Sequence, residues 1–249
     1  MTPMEIGLEV SARTVATYVL GETRPFLHPI RTLGGVVISD CEPEDHTWHL
    51  GLSLAMQDVN GTNLWGGRTY VRGQGYTWLD DHGRITHEGF DAQEPGRLVQ
   101  RLAWRDRDGG VLLLERRTIE ASPVDDQSWR LALSWELTAP EKVVMGSPTT
   151  NGREYGAGYG GAFMRLAPDP SPLVQAGALR GEDEVNGCRE PEVYWRSPGF
   201  AATFRGAQQW FVRTGIYPGV CAAWAFEEVK VIDAGQTWHG HFEMTISDI

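Results

Sequence analysis

Alternating apolar and polar positions recur along the chain and predict β-strands. The period is clearest in three segments, SWRLALSWEL (128–137), TWHGHFEMTIS (237–247) and MEIGLEV (4–10). The apolar side chains that share a face are Trp129, Leu131, Leu133, Trp135 and Leu137 in the first, Trp238, Phe242, Met244 and Ile246 in the second, and Ile6, Leu8 and Val10 in the third. A period of two residues is typical of strands that bury one face.

Turn signals separate the strand patterns, and no long helical period or internal repeat is present. DRDGG (106–110), VDDQS (124–128) and DDHGR (80–84) each predict a hairpin turn. Short strands joined by such turns favour an all-β fold with two packed, mostly antiparallel sheets. With no linker-like segment, residues 1–249 are expected to form a single β-sandwich domain, a length that sandwiches often reach.

Three stretches break the strand pattern: 24–35, 41–78 and 146–165. They are rich in Gly, Asn, His and Trp and are too long to be simple turns. Long irregular segments in a compact domain are usually functional or disordered, and these are too aromatic for disorder. They are therefore the first places to look for chemistry.

The stretch 41–78 predicts a sugar site. It holds His46 and His49, which can act as acid or base near neutral pH, together with Asn60, Trp65 and Arg68. A sugar ring stacks on a flat aromatic face while its hydroxyls bond polar groups around that face. The alternative is a structured loop whose histidines bond the backbone.

The stretch 146–165 is glycine-rich and offers Asn151, Arg153, Tyr159 and Arg165 as ligand contacts. It lacks the phosphate-binding pattern GxxxxGK[ST]. Its GAGYGG has no βαβ context, so a dinucleotide site is not expected. A tight β-arch is the alternative.

The segment 208–228 adds Arg213 and Trp224 as candidate substrate contacts, with Trp210 and Tyr217 nearby. Arg213 lies between apolar residues, where an unpaired charge is costly. A carboxylate of Glu227, Glu228 or a substrate is expected to pair with it.

The remaining histidines give further candidates. His87 precedes Glu88 in GRITHEGF and is a third candidate acid or base, and His28 is a candidate substrate contact. His239 and His241 share a strand face, which a solvated surface explains. A divalent metal held by His28, His46 and His49, with Asp45, stays open as an alternative to a site without cofactor.

Charge and composition exclude several classes of function. The formal net charge is −11 and the pI about 5.1, which argues against nucleic-acid and anionic-membrane partners. Three scattered cysteines without a CxxC pair suggest reduced thiols, and the N-terminus does not read as a signal peptide. A cytoplasmic location is expected.

Four segments resemble an actinobacterial branch of a bacterial family commonly labelled "methane oxygenase PmoA". They are RPFLHPIRTLGGV, DHTWHLGLSLAMQDVNGTNLWGGRTY, TTNGREYGAGYGGAFMR and WFVRTGIYPGV, and the match runs in order along nearly the whole chain. Methane oxygenation is not expected, because particulate methane monooxygenase is a membrane enzyme and this sequence has no spanning segment.

The resemblance implies a galactose-mutarotase-like β-supersandwich and a role in sugar catabolism, in a pathway with a sugar dehydrogenase that yields oxidised (3-keto) glycosides. Its DHxHH motif corresponds to Asp45–His49, with Trp48 where relatives have a histidine. Its YLHP, NGR and GYGG motifs correspond to 26–29, 151–153 and 158–161.

Three hypotheses follow for function. The first is a carbohydrate-active enzyme that uses histidine acid/base chemistry for mutarotation, isomerisation, elimination or hydrolysis of a sugar or 3-keto-glycoside. The second is a non-catalytic carbohydrate-binding accessory protein. The third is a metal-dependent hydrolase or lyase that uses His28, His46 and His49.

Overall fold

The computed structural model describes residues 3–154 and 156–249, and within them the chain is almost entirely β. The first strands are β1 (Met4–Val10), β2 (Arg13–Leu20), β3 (Phe26–Ile30), β4 (Leu52–Ala55), β5 (Asp58–Val59), β6 (Thr69–Val71), β7 (Gly75–Thr77), β8 (Arg84–Glu94), β9 (Arg97–Arg105), β10 (Val111–Pro123) and β11 (Ser128–Thr138). The rest are β12 (Val143–Gly146), β13 (Gly161–Arg165), β14 (Leu173–Ala176), β15 (Leu179–Arg180), β16 (Glu192–Ser197), β17 (Phe200–Arg205), β18 (Trp210–Arg213), β19 (Gly219–Ala223), β20 (Lys230–Ile232) and β21 (Thr237–Asp248), with the short helix α1 (Gly181–Val185) between β15 and β16.

Two large antiparallel sheets dominate the fold. One has seven strands in the order β1-β2-β3-β4-β13-β19-β18, and the other has nine in the order β15-β14-β16-β17-β21-β11-β10-β9-β8. Two small sheets, β20-β12-β5 and β6-β7, lie in the connections. No helix in the described part of the chain is long and apolar enough to cross a membrane. The predicted all-β class with packed antiparallel sheets is confirmed.

The main core lies between the two large sheets and uses the apolar faces that alternation predicts. On β11 the side chains from Trp129 to Leu137 on the apolar face are all buried, and on β21 Phe242, Met244 and Ile246 are inaccessible. The hairpin turns at 106–110 and 124–128 join β9 to β10 and β10 to β11, as predicted. The prediction for 80–84 is wrong, because β7 and β8 belong to different sheets.

The seven-stranded sheet buries both faces near its centre. On β13, Ala162 and Met164 point into the main core, whereas Phe163 belongs to a second apolar cluster on the opposite face. The same alternation places Phe211 of β18 in that cluster. Since side chains alternate along a strand, Arg165 and Arg213, two residues beyond these phenylalanines, project from the outer face as well.

The irregular stretches predicted from composition contain strand segments as well as loops. Residues 161–165, predicted as part of a glycine-rich loop, form a fully buried strand, β13, and 41–78 includes the short strands β4 to β7. The true loops, 41–51, 60–68, 147–154, 156–160 and 214–218, lie over the outer face of the seven-stranded sheet, because residues from each line one cavity there.

Candidate functional site

The cavity above the outer face of the seven-stranded sheet has a volume of about 520 Å³. Its walls are largely aromatic and its polar groups converge from separate loops. The lining residues are Asp45, His46, Trp48, His49, Trp65, Gly67, Arg68, Tyr76, Trp78, Arg153, Tyr159, Phe211, Arg213, Ile216 and Tyr217. A volume in this range, with apolar walls and a few placed polar groups, is typical of a small-molecule site.

A tight turn brings His46 and His49 together. The His49 N–H donates to the His46 carbonyl at 2.9 Å, which closes a four-residue turn. As a result the two imidazole rings stack, with centroids 4.6 Å apart and an interplanar angle of 21°. The turn therefore sets the distance between the two imidazole rings, although the segment is a loop.

His46 carries a carboxylate partner and reaches solvent. Its Nδ1 lies 2.8 Å from Oδ2 of Asp45, and 24% of its side chain is exposed. Partial burial favours the neutral acid of Asp45, but the hydrogen bond with His46 and the charge of Arg165 outweigh it and lower the Asp45 pKa. An ionised Asp45 accepts the Nδ1 proton of His46 and leaves Nε2 as the ring nitrogen that can accept a proton.

His49 has the opposite environment. Only 1% of it is exposed, and burial, together with the charges of His46, Arg165 and Arg24, lowers its pKa to about 2. Its Nδ1 lies 3.4 Å from Nη1 of Arg165, a group that can only donate. His49 therefore stays neutral, with its proton on Nε2, and its burial argues against the predicted role as a base.

Arg165 lies beneath the cavity and ties its polar groups together. Its guanidinium is 3.5 Å from Asp40 and 3.6 Å from Asp45, and its Cζ is 4.9 Å from the centre of the Tyr217 ring. The side chain is 4% exposed. A buried arginine with two carboxylates and one aromatic face is held firmly, so it fixes Asp45 and, through Asp45, the His46 ring.

A second polar chain crosses the cavity wall. The Gln57 amide N–H donates to the Tyr159 hydroxyl at 2.6 Å, and the Tyr159 hydroxyl lies 3.2 Å from that of Tyr76. A guanidinium N–H of Arg153 donates to the same Tyr76 oxygen, and its Cζ lies 4.8 Å from the Tyr76 ring centre. Burial raises the Tyr159 pKa well above its ordinary value, so this hydroxyl keeps its proton.

The aromatic walls are positioned by a buried arginine. Arg24, 2% exposed, donates from its three nitrogens to the carbonyls of Trp48 (2.6 Å) and Trp65 (2.9 Å) and to the Ser53 hydroxyl (3.1 Å). All three acceptors are neutral, and burial lowers the Arg24 pKa to about 10. Arg24 thus joins two loops that supply opposite parts of the wall.

A family model described as a family of unknown function (DUF6807) matches residues 5–248. The chain belongs to this family. No curated protein matches its sequence.

A solved structure places the DUF6807 protein in the galactose-mutarotase-like fold. A putative aldose 1-epimerase from Escherichia coli K12 superposes with a TM-score of 0.50 at 11% identity, over 99% of this chain and 100% of that chain. A galactose mutarotase related enzyme from Lactobacillus acidophilus (TM-score 0.47, 10% identity, 99% and 97% covered) and a GalM/aldose epimerase homologue from C. elegans (0.47, 9%, 100% and 100%) are also similar. At 11% identity the likeness to the E. coli structure shows the fold alone. Methane oxygenation has no support in these similarities.

The DUF6807 chain brings most of the predicted site residues to one cavity. His46, His49, Trp65, Arg68, Arg153, Tyr159 and Arg213 line it, and Arg165 lies directly below. The expected pairing of Arg213 with Glu227 or Glu228 is wrong. Its Nη1 is 3.6 Å from Glu182, and its Nη2 donates to the Gly156 carbonyl at 2.6 Å.

Two predicted histidines lie outside the cavity. His28 of β3 has its Nδ1 2.9 Å from the Ser39 hydroxyl, and His87 of β8 bonds the Gln100 amide at 2.6 Å on the other large sheet. Burial lowers the pKa of both. A role for His87 beside His46 is therefore wrong, because the two residues belong to separate parts of the sandwich.

The two predicted asparagines have structural partners. Asn60, at a positive φ of 51°, bonds the backbone at Lys142 and Val144, and Asn151 donates to Asp58 Oδ2 at 3.0 Å. Neither lines the cavity. These amides shape the loops around β5 and β12 rather than the binding surface.

Trp224 lines a different cavity, of about 310 Å³, beside β11 and β21. Its ring packs at 5.0 Å from that of Trp135 and 4.9 Å from that of Trp238. Of the two tryptophans predicted to contact substrate, Trp65 therefore lies at the cavity on the outer face and Trp224 does not.

The proposed metal set is not assembled. His28 lies outside the cavity that holds His46 and His49, and no group of three or more His, Cys, Asp or Glu side chains across 3–154 and 156–249 is arranged to hold a metal ion.

Sequence reasoning missed several residues of the wall. Trp48, Tyr76 and Trp78 lie in the stretch 41–78 that composition marked, but nothing in their spacing distinguished them from buried aromatics. Tyr217 lies close in sequence to the predicted contacts Arg213 and Trp224 but is not itself predicted as one; it belongs to the β18–β19 hairpin, two residues after Gly215. Gln57 and Arg24 gave no signal, because their role depends on partners far along the chain.

Proposed function

We propose that this protein is a carbohydrate-active enzyme that moves protons at a sugar, with interconversion of sugar anomers as its simplest reaction. The observation that carries the proposal is the Asp45–His46 pair, 2.8 Å apart, at the wall of an aromatic cavity sized for a sugar. The mutarotase-like fold supports it, because the similar E. coli structure is titled a putative aldose 1-epimerase.

His46 is the proposed acid/base. Its Nε2 accepts the proton of the anomeric hydroxyl while the bond between the anomeric carbon and the ring oxygen breaks, and water in the open cavity protonates the ring oxygen. After rotation of the aldehyde, the reverse steps close the ring on the other face. Asp45 stabilises the imidazolium formed in between, and such general catalysis typically contributes about 10²–10⁴-fold.

The neutral His49 and the aromatic walls orient the ring. Burial lowers the His49 pKa and Arg165 faces its Nδ1, so the neutral ring carries its proton on Nε2 and is suited to donate to a sugar oxygen. Trp65 and Trp48 offer flat faces against which sugar C–H groups pack. The same proton transfer at a carbon next to a carbonyl would serve an oxidised (3-keto) glycoside.

Anomer exchange measured by NMR tests the proposal. A panel of neutral and acidic aldoses is followed with wild type, His46→Asn and the matched control His241→Asn, which alters an exposed histidine of β21. We expect wild type and control to accelerate exchange of at least one sugar and His46→Asn to lose about 10²–10⁴-fold. No acceleration with any sugar, or full activity in His46→Asn, contradicts the proposal.

A binding protein without turnover is the second candidate, favoured by one observation. At the rim of the cavity, Trp78 is 55% exposed and its ring lies 5.8 Å from that of Trp48. An aromatic platform of this kind binds sugars without chemistry. In that case sugar binding is retained in His46→Asn and no sugar shows enzyme-dependent exchange.

A further inference from the structure

One cavity wall offers hydrogen-bond donors to a ligand, because its acceptor atoms are already used within the wall. Gln57 Oε1 accepts from the Tyr70 N–H and its Nε2 donates to the Arg68 carbonyl at 3.0 Å, so the orientation of the Gln57 amide is set. Its Nε2 also donates to the Tyr159 hydroxyl. Since that hydroxyl receives a donor from Gln57, its own hydrogen points to Tyr76.

The Tyr76 oxygen therefore accepts twice, from Tyr159 and from Arg153. A phenol oxygen has two lone pairs, so the Tyr76 hydrogen is left to donate elsewhere, and Tyr76 lines the cavity. The ring packs 5.5 Å from that of Tyr70 on the β6–β7 hairpin, which holds the Tyr76 oxygen in place. An acceptor in the cavity completes the chain.

Positive charge accompanies these donors. Among the described residues, Asp45 is the single acidic side chain of the cavity lining and contacts His46 and Arg165, whereas Arg68, Arg153 and Arg213 all line the cavity. Glu182 lies 3.6 Å from Arg213, but among the described residues no carboxylate is within 4 Å of the guanidinium of Arg68 or Arg153. A chain with a net charge of −11 thus concentrates unpaired cations at this wall.

We propose that the sugar bound in this cavity carries a carboxylate, and that Arg153 and the Tyr76 hydroxyl hold that carboxylate. Ionised carboxylates only accept hydrogen bonds, which matches a wall that only donates, and a guanidinium binds them with charge-assisted bonds. Neutral sugar hydroxyls would leave the cationic groups without an anion. The inference rests on the proposed function for the sugar, and it adds the charge of that sugar.

Calorimetric titration compares D-glucuronate and D-galacturonate with D-glucose and D-galactose, and with D-glucose 6-phosphate as a different anion. We expect the uronates to bind at least about tenfold more tightly than the neutral sugars, with affinity falling as salt rises. Arg153→Gln and Tyr76→Phe should each weaken uronate binding, Arg153→Gln by about 10- to 100-fold, and leave neutral sugars little changed. Arg130→Gln on β11 and Tyr194→Phe on β16, both in the nine-stranded sheet, are the matched controls.

The outcomes separate this inference from the proposed function. Neutral sugars that bind as tightly as uronates, or uronate binding unaffected by Arg153→Gln, overturn the carboxylate while anomer exchange by His46 survives. Preference for the phosphate ester over both uronates also overturns it. If uronate binding depends on Arg153 and no anomer exchange is measured, the inference is upheld and the catalytic proposal is contradicted. No binding of any of these sugars sinks both.

Discussion

The imidazoles of His46 and His49 stack 4.6 Å apart, yet one faces the cavity beside a carboxylate and the other is buried beside a guanidinium. The carboxylate of Asp45 lies 2.8 Å from His46 Nδ1, whereas burial lowers the His49 pKa and keeps that ring neutral. The two histidines of this motif therefore have different surroundings, because one partner is the adjacent Asp45 of the same loop and the other is Arg165 of β13.

Stability should fall in mild acid because of His49. Its pKa is lowered to about 2 in the folded protein, against an unfolded value near 6.5, so the unfolded chain binds the extra proton between these values. Stability is full above about pH 6.5 and falls below it, by about 2 kcal/mol at pH 5. Urea unfolding of wild type and His49→Gln between pH 7.5 and 5 measures the effect.

The comparison rests on slopes rather than absolute stabilities. His49→Gln should show a flatter dependence of unfolding free energy on pH, and His241→Gln, which removes an exposed histidine, should keep the wild-type slope. Burial also lowers the pKa of His28 and His87, so the His49→Gln slope does not reach zero. Equal slopes in wild type and His49→Gln would refute the buried, neutral state of His49.

Asp45→Asn should lower turnover while sugar binding in the cavity is retained. The amide cannot stabilise an imidazolium at His46 as the carboxylate does, and it removes one of two carboxylates near Arg165. We expect kcat for anomer exchange to drop by about tenfold or more, equivalent to at least about 1.4 kcal/mol of transition-state energy, while sugar affinity changes little. Asp126→Asn, in the exposed turn 124–128, is the control, and a change confined to affinity would contradict this role.

Arg24→Met should loosen the aromatic walls. The substitution fills the space but leaves the carbonyls of Trp48 and Trp65 and the Ser53 hydroxyl without their donor. Orphaned buried acceptors cost about 1–3 kcal/mol each, so we expect a loss of several kcal/mol in urea unfolding and weaker sugar binding. Arg130→Met should change neither. An Arg24→Met protein as stable as wild type would show that water replaces the guanidinium.

Sequence patterns predicted the sheets better than the site, for a physical reason. Burial between two sheets imposes a period of two residues, which the alternation of β11 and β21 displays directly. The site depends on contacts between loops far apart in sequence, such as Gln57 with Tyr159 and Arg24 with Trp65. The same residue types also serve structure: Asn60 and Asn151 cap loops, and no local pattern distinguishes them from ligands.

Strand alternation could have found more of the site than composition did. In GAFMR (161–165) and WFVR (210–213), the aromatic residue and the arginine are two positions apart and must share a face. Both pairs do lie on the outer face of the seven-stranded sheet. The short helix α1, five residues long, gave no period to detect, although its Glu182 is the partner of Arg213.

The effect of a substitution at Gly67 on the free energy of unfolding should depend on the residue at position 48. A Cβ on Gly67 would lie 2.5 Å from the Trp48 ring, so Gly67→Ala must displace a wall of the cavity. We expect a destabilisation of about 1–3 kcal/mol together with weaker sugar binding. Trp48→His, which replaces the indole with the smaller imidazole, removes most of the ring that obstructs the new methyl group.

The double variant Gly67→Ala/Trp48→His therefore tests the contact directly. If the ring and the glycine are matched, Gly67→Ala should cost less in the Trp48→His background than in wild type, with a coupling energy of about 0.5–3 kcal/mol from urea unfolding. Gly73→Ala, at a glycine of the β6–β7 turn whose added Cβ meets no atom within 4 Å, should show no such coupling to Trp48→His. If the losses in unfolding free energy for Gly67→Ala and Trp48→His are additive, the two residues do not constrain each other. Of the contacts described above, Arg24 would then be the one that holds the Trp48 wall in place.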